Sequence, residues 1–544
     1  MKKKKLNKKN LVVIYLFSAA VVLLSAIIFY NYSSSAKGTR GSGSFKSIYI
    51  DDVAKNLIQI DSSSKDFNRY RFTSSVEGAQ IILSKERHSG YELLDSFDRL
   101  YIPIVSWANY EVANITNDDL ASLRDNSFVV KGNQKLEFIF FDKYKNDYTH
   151  LLGSKTNIGE LKNIDDLATL RNNKNFISFV DIKDMAPYFK YLTVEGKSPL
   201  LKNNNDYSLF VPFYLETDAG NSETLALFES KIKDYKKSLK VTDILSVGDI
   251  MLSRDVGIKI RKSKDNSLPF NKLGDFLSKA DITFGNLESP FYNQGAPLDI
   301  GMSFKANPDY IEGISFSGFD ILSLANNHFG NQGRLGMQYT FSHLLGNNIK
   351  YCGAGNNIEE AHNAAVINKN DKSLSFLSYN SIQPQSYEAG TDLAGLAYLY
   401  DTNDSISKMK KDIGTEKDKG NIVVVSFHWG SEYTPKASDF QKKIAKEAIA
   451  AGADTIIAQH PHVVQGLDFI EDKPVLYSLG NFVFDQMWSQ ETREGLILKT
   501  ILVNNKIVAL DLLPVIIDDY NQPRFAIEAE SNRILKRVID NSSI

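Results

Sequence analysis

Aspartate, glutamate, asparagine and histidine, the side chains that bind hard or borderline divalent cations, recur in five short segments of the second half of this chain. They are Val247-Gly248-Asp249-Ile250, Gly285-Asn286-Leu287-Glu288, Asn326-Asn327-His328, Phe427-His428-Trp429-Gly430 and His460-Pro461-His462. Each follows a β-branched or apolar run. Taken singly they say little: an Asp after a strand commonly caps a helix, and a lone histidine is often a core residue. His460-Pro461-His462 says more, because residues two apart on an extended segment project to one side and neutral imidazole nitrogens are good metal ligands. All five together, each behind a predicted strand, point to one metal site assembled by the fold.

The elements that must position these residues alternate between strands and helices. Ile244-Leu245-Ser246-Val247, Ile321-Leu322-Ser323-Leu324, Ile422-Val423-Val424-Val425 and Thr455-Ile456-Ile457-Ala458 read as buried strands. Between the last two, Asp439 to Ala451 carries Ile444, Ala448 and Ala451 at helical spacing. Such alternation predicts an α/β domain, residues 241–518, whose strand-end loops carry the chemistry. Residues 519–544 form a C-terminal extension, and the charged stretch 230–240 reads as a surface helix or linker.

Upstream, residues 45–229 read as a smaller α/β domain without a metal-type cluster. Its strands include Ile48-Tyr49-Ile50, Leu100 to Val105 and Leu136 to Phe141, and Asn117-Asp118-Asp119 reads as a helix cap.

The five segments, in their fuller form, resemble the CapA/PgsA poly-γ-glutamate capsule-synthesis family, a relative of the calcineurin-like metallophosphoesterases. The matching blocks are Ser246 to Leu252, Phe284 to Glu288, Leu324 to His328, Val425 to Glu432, and Gln459 to Gly466 leading into Tyr477-Ser478-Leu479-Gly480-Asn481-Phe482. The resemblance implies a metallophosphoesterase-like β-sandwich flanked by helices. It also implies a site of one or two divalent ions (Mn, Zn, Fe or Mg). Asp249 and His462 would hold one metal, Asn327, His428 and His460 the other, and Glu288 would take the bridging-carboxylate position. His328 would be the proton donor or oxyanion stabiliser, with Arg254, Asn286 and Glu432 as substrate contacts or outer support. Two departures stand out. The superfamily's histidine two residues after the aspartate is Met251 here, and its bridging Asp is Glu288. The first region resembles the phosphate-binding-protein type of periplasmic solute receptor, through Ile102 to Val105 with Asn114 to Leu120, and through Thr193 to Pro199 with Tyr207 to Tyr214.

Lys2, Lys3, Lys4, Lys5, Lys8 and Lys9 precede an uncharged run from Leu11 to Tyr30. As a helix that run spans roughly 30 Å, the thickness of a bilayer core. Residues 1–10 are then a cytoplasmic basic tail, 11–30 a single transmembrane anchor and 31–44 a linker, with everything beyond outside the membrane. A cleaved signal ending near Ser34-Ser35-Ala36 is the competing reading.

The 544 residues exceed one ordinary core, and 43% hydrophobic with 24% charged residues is an ordinary globular balance. A net charge of -2 offers no nucleic-acid footprint, and the lone Cys352 excludes an internal disulfide.

Three functions compete: a membrane-anchored metal-dependent hydrolase acting on a phosphate-containing or polymer substrate in capsule assembly, a non-catalytic polymer-binding or export scaffold, and a solute receptor. The expected partners are the lipid bilayer, the surface polymer and membrane proteins of capsule synthesis.

Overall fold

A computed structural model describes residues 45–68, 70–153, 163–164, 166–202, 206–218, 222–382 and 387–544. The basic tail, the apolar run 11–30 and the linker 31–44 lie outside these residues. Among the described residues no helix is long and apolar enough to cross a membrane. The fold is mixed α/β, and the described residues divide into two compact units, those up to 96 with 214–231, and those of 97–213 with 232–544.

In the first unit, Lys46–Ile50 pairs in parallel with both Tyr70–Phe72 and Ile81–Ser84. Tyr214 to Thr217 adds antiparallel to Ile81–Ser84. The buried Glu216 accepts from Arg87 Nε at 2.6 Å and faces His88 Nδ1 at 2.9 Å, so its charge is balanced.

The second unit is built around two sheets. The larger has eight strands in the order Lys350–Cys352, Ile321–Ser323, Ile282–Leu287, Val241–Ile250, Glu494–Val503, Lys506–Asp518 and Gln522–Phe525, with Asn481–Val483 beside Val241–Ile250. The first four run parallel and the C-terminal ones antiparallel. The smaller sheet has six strands, in the order Ala365–Lys369, Lys372–Asn380, Ile422–His428, Thr455–Gln459, Lys473–Leu476 and Leu467–Ile470.

Side chains alternate between the two faces of a strand, and here both faces are apolar. Ile244, Phe284, Ile321, Phe376, Val424 and Ile457 meet in one cluster between the sheets, where the Phe284 and Phe376 rings stack with centroids 5.6 Å apart. Leu245, Val247, Leu287 and Leu322 turn to the opposite face of the larger sheet. There the helices Arg254–Ser263, Ile311–Phe316 and Gly333–Gly346 cover them. Val423, Val425 and Leu377 of the smaller sheet are covered in the same way by Asn403–Asp418 and Asp439–Ala450. The four strands expected in this region are all present, and so is the helix from Asp439.

Residues 97–213 belong to the same unit. Tyr101 to Val105 pairs with Phe176–Asp181, and that strand with Gln134–Phe138. Arg99 is buried and held by Asp147 at 2.7 Å and Asp181 at 2.6 Å. This segment meets the two-sheet body through Lys202, 2.6 Å from Asp243 and 3.1 Å from Asp281. Lys190 is also enclosed there, its ammonium pushed down to about 8 by burial despite the nearby Asp511.

Three local expectations need correction. The helix Asn117–Asn126 is capped by Thr116, not by Asn117: Thr116 Oγ1 accepts from Asp119 N, and the Asp119 carboxylate accepts from Thr116 N. The reciprocal pair satisfies two end donors at once. The strand expected over Leu136 to Phe141 breaks after Phe138 and resumes at Phe140. The charged stretch 230–240 is helical to Ser238, as the first of its two readings had it, but only as the end of a longer helix, Ser222–Ser238, that buries Phe228, Ile232 and Tyr235.

Candidate metal centre

Parallel strands present their carboxyl ends on one edge, where ligands of open α/β sheets bind. Both sheets of the second unit obey this rule at a common place. Asp249 and Asn286 sit at the ends of Val241–Ile250 and Ile282–Leu287, and Glu288 follows directly. Asn327 and His328 lie just past Ile321–Ser323, His428 closes Ile422–His428, and His460 follows Thr455–Gln459. The larger sheet thus supplies the carboxylates, the amides and His328, and the smaller one His428, His460 and His462.

Glu288, His428 and His460 offer ligand atoms all within 4.8 Å of one another, and so do Asp249, Glu288 and His462. Glu288 is common to both triads. Asn327 Oδ1 lies 2.8 Å from His428 Nε2, which is itself 3.2 Å from His460 Nδ1. Asp249 Oδ2 lies 3.3 Å from His462 Nδ1 and also accepts from His460 N at 3.3 Å. The carboxylates and imidazoles in these triads are all buried.

Burial without charge compensation shapes the electrostatics. Glu288 is 0% exposed and neither carboxylate oxygen has a hydrogen-bond partner. Burial, and then the neighbouring Asp249, push its carboxyl well above the usual carboxylate range. Burial also drives His428, His460 and His328 the other way. His428 falls well below its ordinary value, His460 falls to about 3 and His328 to about 4. Two enclosed carboxylates with neutral imidazoles and an amide oxygen form a donor set of the kind divalent cations take. An orphaned buried carboxylate is costly unless a cation meets it. A divalent cation fits this arrangement.

Asn286 is not a ligand here but a spacer. Its Nδ2 donates to Asp249 Oδ1 at 2.7 Å and lies 3.3 Å from His428 Nδ1. Asn326 locks it in turn, donating to Asn286 Oδ1 at 3.1 Å and Leu287 O at 2.9 Å. His328 sits beside the triads, its Nδ1 3.0 Å from Asn331 Oδ1 and its ring stacked on Phe304 with centroids 4.0 Å apart. Arg254 is turned to Asp485, with Nε 3.0 Å from Oδ2 and Nη2 on Oδ1, and it lies over the Phe304 ring. Glu432 is exposed and joins neither triad. Met251 is buried in the apolar cluster, its sulfur accepting from Ser253 N at 3.1 Å.

The expected extended form of His460-Pro461-His462 is wrong. His460 has φ 97° and His462 φ 58°, both in the left-handed region. The rings still converge, with centroids 5.8 Å apart, because two left-handed residues fold the segment into a bend. Sequence reasoning gave no role to Asn481, whose Oδ1 lies 2.9 Å from His462 Nδ1, nor to Asn331 and Asp485. Asn481 stood in a matching block, which was its one signal. Asn331 and Asp485 belong to no recognisable pattern.

A two-sheet α/β domain with a carboxylate, amide and histidine cluster at its strand ends is thus the class of protein defined here. Residues 243–486 match the family described as bacterial capsule synthesis protein PGA_cap. Over these residues, which include every member of the cluster, the chain is similar to that family. The capsule biosynthesis protein CapA of Bacillus anthracis is 28% identical over 313 residues, covering 57% of this chain and 75% of its own. The PGA biosynthesis protein CapA of Bacillus subtilis (strain 168) is 29% identical over 313 residues, covering 56% and 78%. Among solved structures, an ABC-type phosphate transport receptor from Vibrio cholerae overlaps 36% of this chain and 96% of its own at 14% identity. At a TM-score of 0.28 that overlap carries no structural argument.

Proposed function

We propose that this chain is a membrane-anchored CapA-like protein of poly-γ-glutamate capsule or surface-polymer biosynthesis, and that its histidine and carboxylate cluster is a metal-dependent phosphoesterase-type hydrolytic site. The observation that carries the reading is Glu288, a buried carboxylate with both oxygens unpartnered and shared by two potential ligand triads. Asp249, Glu288 and His462 would hold one cation, and Asn327, His428 and His460 with the same Glu288 a second. Bound there, divalent cations polarise a phosphoryl oxygen and acidify a water molecule.

The remaining residues have definable duties. Asn286 and Asn326 fix the Asp249 carboxylate, and Asn481 fixes the His462 ring. Asn331 Oδ1 accepts from Phe304 N at 2.7 Å, so it faces His328 as an acceptor and the imidazole proton sits on Nδ1. An anionic substrate alongside favours the imidazolium, which then offers a proton at Nε2 to a leaving oxygen.

The test is metal analysis of the purified protein, followed by phosphodiester hydrolysis with Mn or Zn. His460→Ala combined with His462→Ala should lower the metal content. His328→Ala should keep its metal yet lose roughly two orders of magnitude in turnover. Wild type and His328→Ala that are equally inert while both hold metal would leave the site without a catalytic role. Protease applied to intact cells should remove the domains beyond residue 44, and full protection would overturn the topology.

A further inference from the structure

Beyond the metal ligands, the second unit presents an aromatic pair that the chemistry above does not use. Tyr433 follows the strand that ends in His428, and its N–H donates to Pro461 O at 2.8 Å, inside the His460-Pro461-His462 bend. Its backbone is left-handed, with φ 59°, a conformation a bulky residue adopts only when its surroundings impose it. The ring so placed has its centroid 6.2 Å from that of His462 and 5.7 Å from that of Trp488, which meets it edge-on at 79°. Gln486 Nε2 donates to the Tyr433 hydroxyl at 3.3 Å and accepts at Oε1 from Asn481 Nδ2 at 3.1 Å, tying the pair to the residue that fixes His462.

Trp488 is 64% exposed and Tyr433 45%. Packed against each other beside the polar cluster, the two exposed rings offer an apolar body with polar tips to a ligand. The charges around it narrow what it can hold. Arg254 is already neutralised by Asp485, and Glu432 adds a negative charge. Neither Arg254 nor Glu432 thus offers a free positive charge beside the pair, and the apolar surface presented here is the exposed indole with the Tyr433 ring set nearly perpendicular to it.

We propose that Tyr433 and Trp488 form an aromatic platform, in which the exposed indole stacks and the Tyr433 ring meets it edge-on, that selects phosphate esters whose esterified group carries a flat ring, and holds that ring while the phosphoryl group lies at the cluster. The proposal rests on the metal-site reading above and adds its substrate class.

The test uses two non-hydrolysable anions, phenylphosphonate and methylphosphonate, titrated into the metal-loaded full-length protein by calorimetry. Trp488 fluorescence is the second readout, since Trp107 and Trp429 are buried at 3% and 0% exposure. Wild type should hold phenylphosphonate roughly tenfold tighter than methylphosphonate, with a saturable change in emission. Trp488→Ala should bring the two affinities together by weakening phenylphosphonate alone, and Trp488→Phe should restore most of the preference. Equal binding of both anions by wild type, or an unchanged preference in Trp488→Ala, overturns the platform and leaves the metal site standing. Failure of both anions to bind a protein that holds metal overturns the platform and the phosphoester reading together.

Discussion

Glu288 shows how a single residue carries two opposing demands. As a ligand it must be an anion, yet the metal-free protein encloses it without a donor. Replacing it with glutamine keeps the shape and removes the charge. Glu288→Gln should therefore bind less metal than wild type by elemental analysis, while the metal-free variant melts no lower than the metal-free parent and is stabilised by about 1 kcal/mol. A lower melting temperature for the metal-free variant would show that the carboxylate has a partner among the protein's own groups. At this scale the sequence was readable where a residue stood in a motif, as with Asp249, His428 and His460. It was silent on Asn331, which stood in none of the matching blocks, and on Asp485, because a hydrogen bond across 231 positions leaves no local pattern.

Among the elements, the strand Val241–Ile250 bears the tightest constraint. Its register against Ile282–Leu287 shifts between Ser246 and Asp249, and Asp249 N donates to Gly480 O at 3.1 Å across the irregularity. A Cβ on Gly248 would stand 1.8 Å from that same carbonyl oxygen. Gly248→Ala must therefore push two backbones apart beside a ligand. We expect a loss of about 1–3 kcal/mol in denaturant unfolding, together with weaker metal retention. A variant as stable as wild type would mean that the strand can slide. The alternation of apolar runs with helical patterns made these strands legible, since a buried parallel strand is a short unbroken apolar run. The bend at His460 was not, because left-handed backbone at a histidine follows from its hydrogen bonds and packing and not from its type.

For the whole molecule, the cluster sets how stability responds to pH when no metal is bound. His328 and His460 have folded values of about 4 and about 3, against an ordinary 6.5. A depressed value means the unfolded chain takes up protons first. Stability from these two groups is complete above 6.5 and is lost as pH falls toward their folded values. Each costs about 1.4 kcal/mol per pH unit across that window. Glu288 is displaced upward, so its contribution is complete below 4.5 and is lost as pH rises. The metal-free protein thus has no pH at which every member of the cluster is at ease. Melting of chelator-treated protein should fall steadily from pH 6.5 to pH 4, and added Zn or Mn should raise the melting point most near neutrality, where the ligands are deprotonated. A flat profile would mean that these imidazoles are reached by water. None of this could be read from composition, since the net charge of -2 says nothing about which charges are enclosed.

The lone cysteine has a practical consequence of its own. Cys352 is 1% exposed, and burial pushes its thiol far above the ordinary range, so it stays inert to thiol-directed dyes in the folded protein. A cysteine engineered at a solvent-facing site of the second unit would then be the one reactive thiol among the described residues. A fluorophore or spin label could be placed there in a single step, with no need to mutate the native residue first.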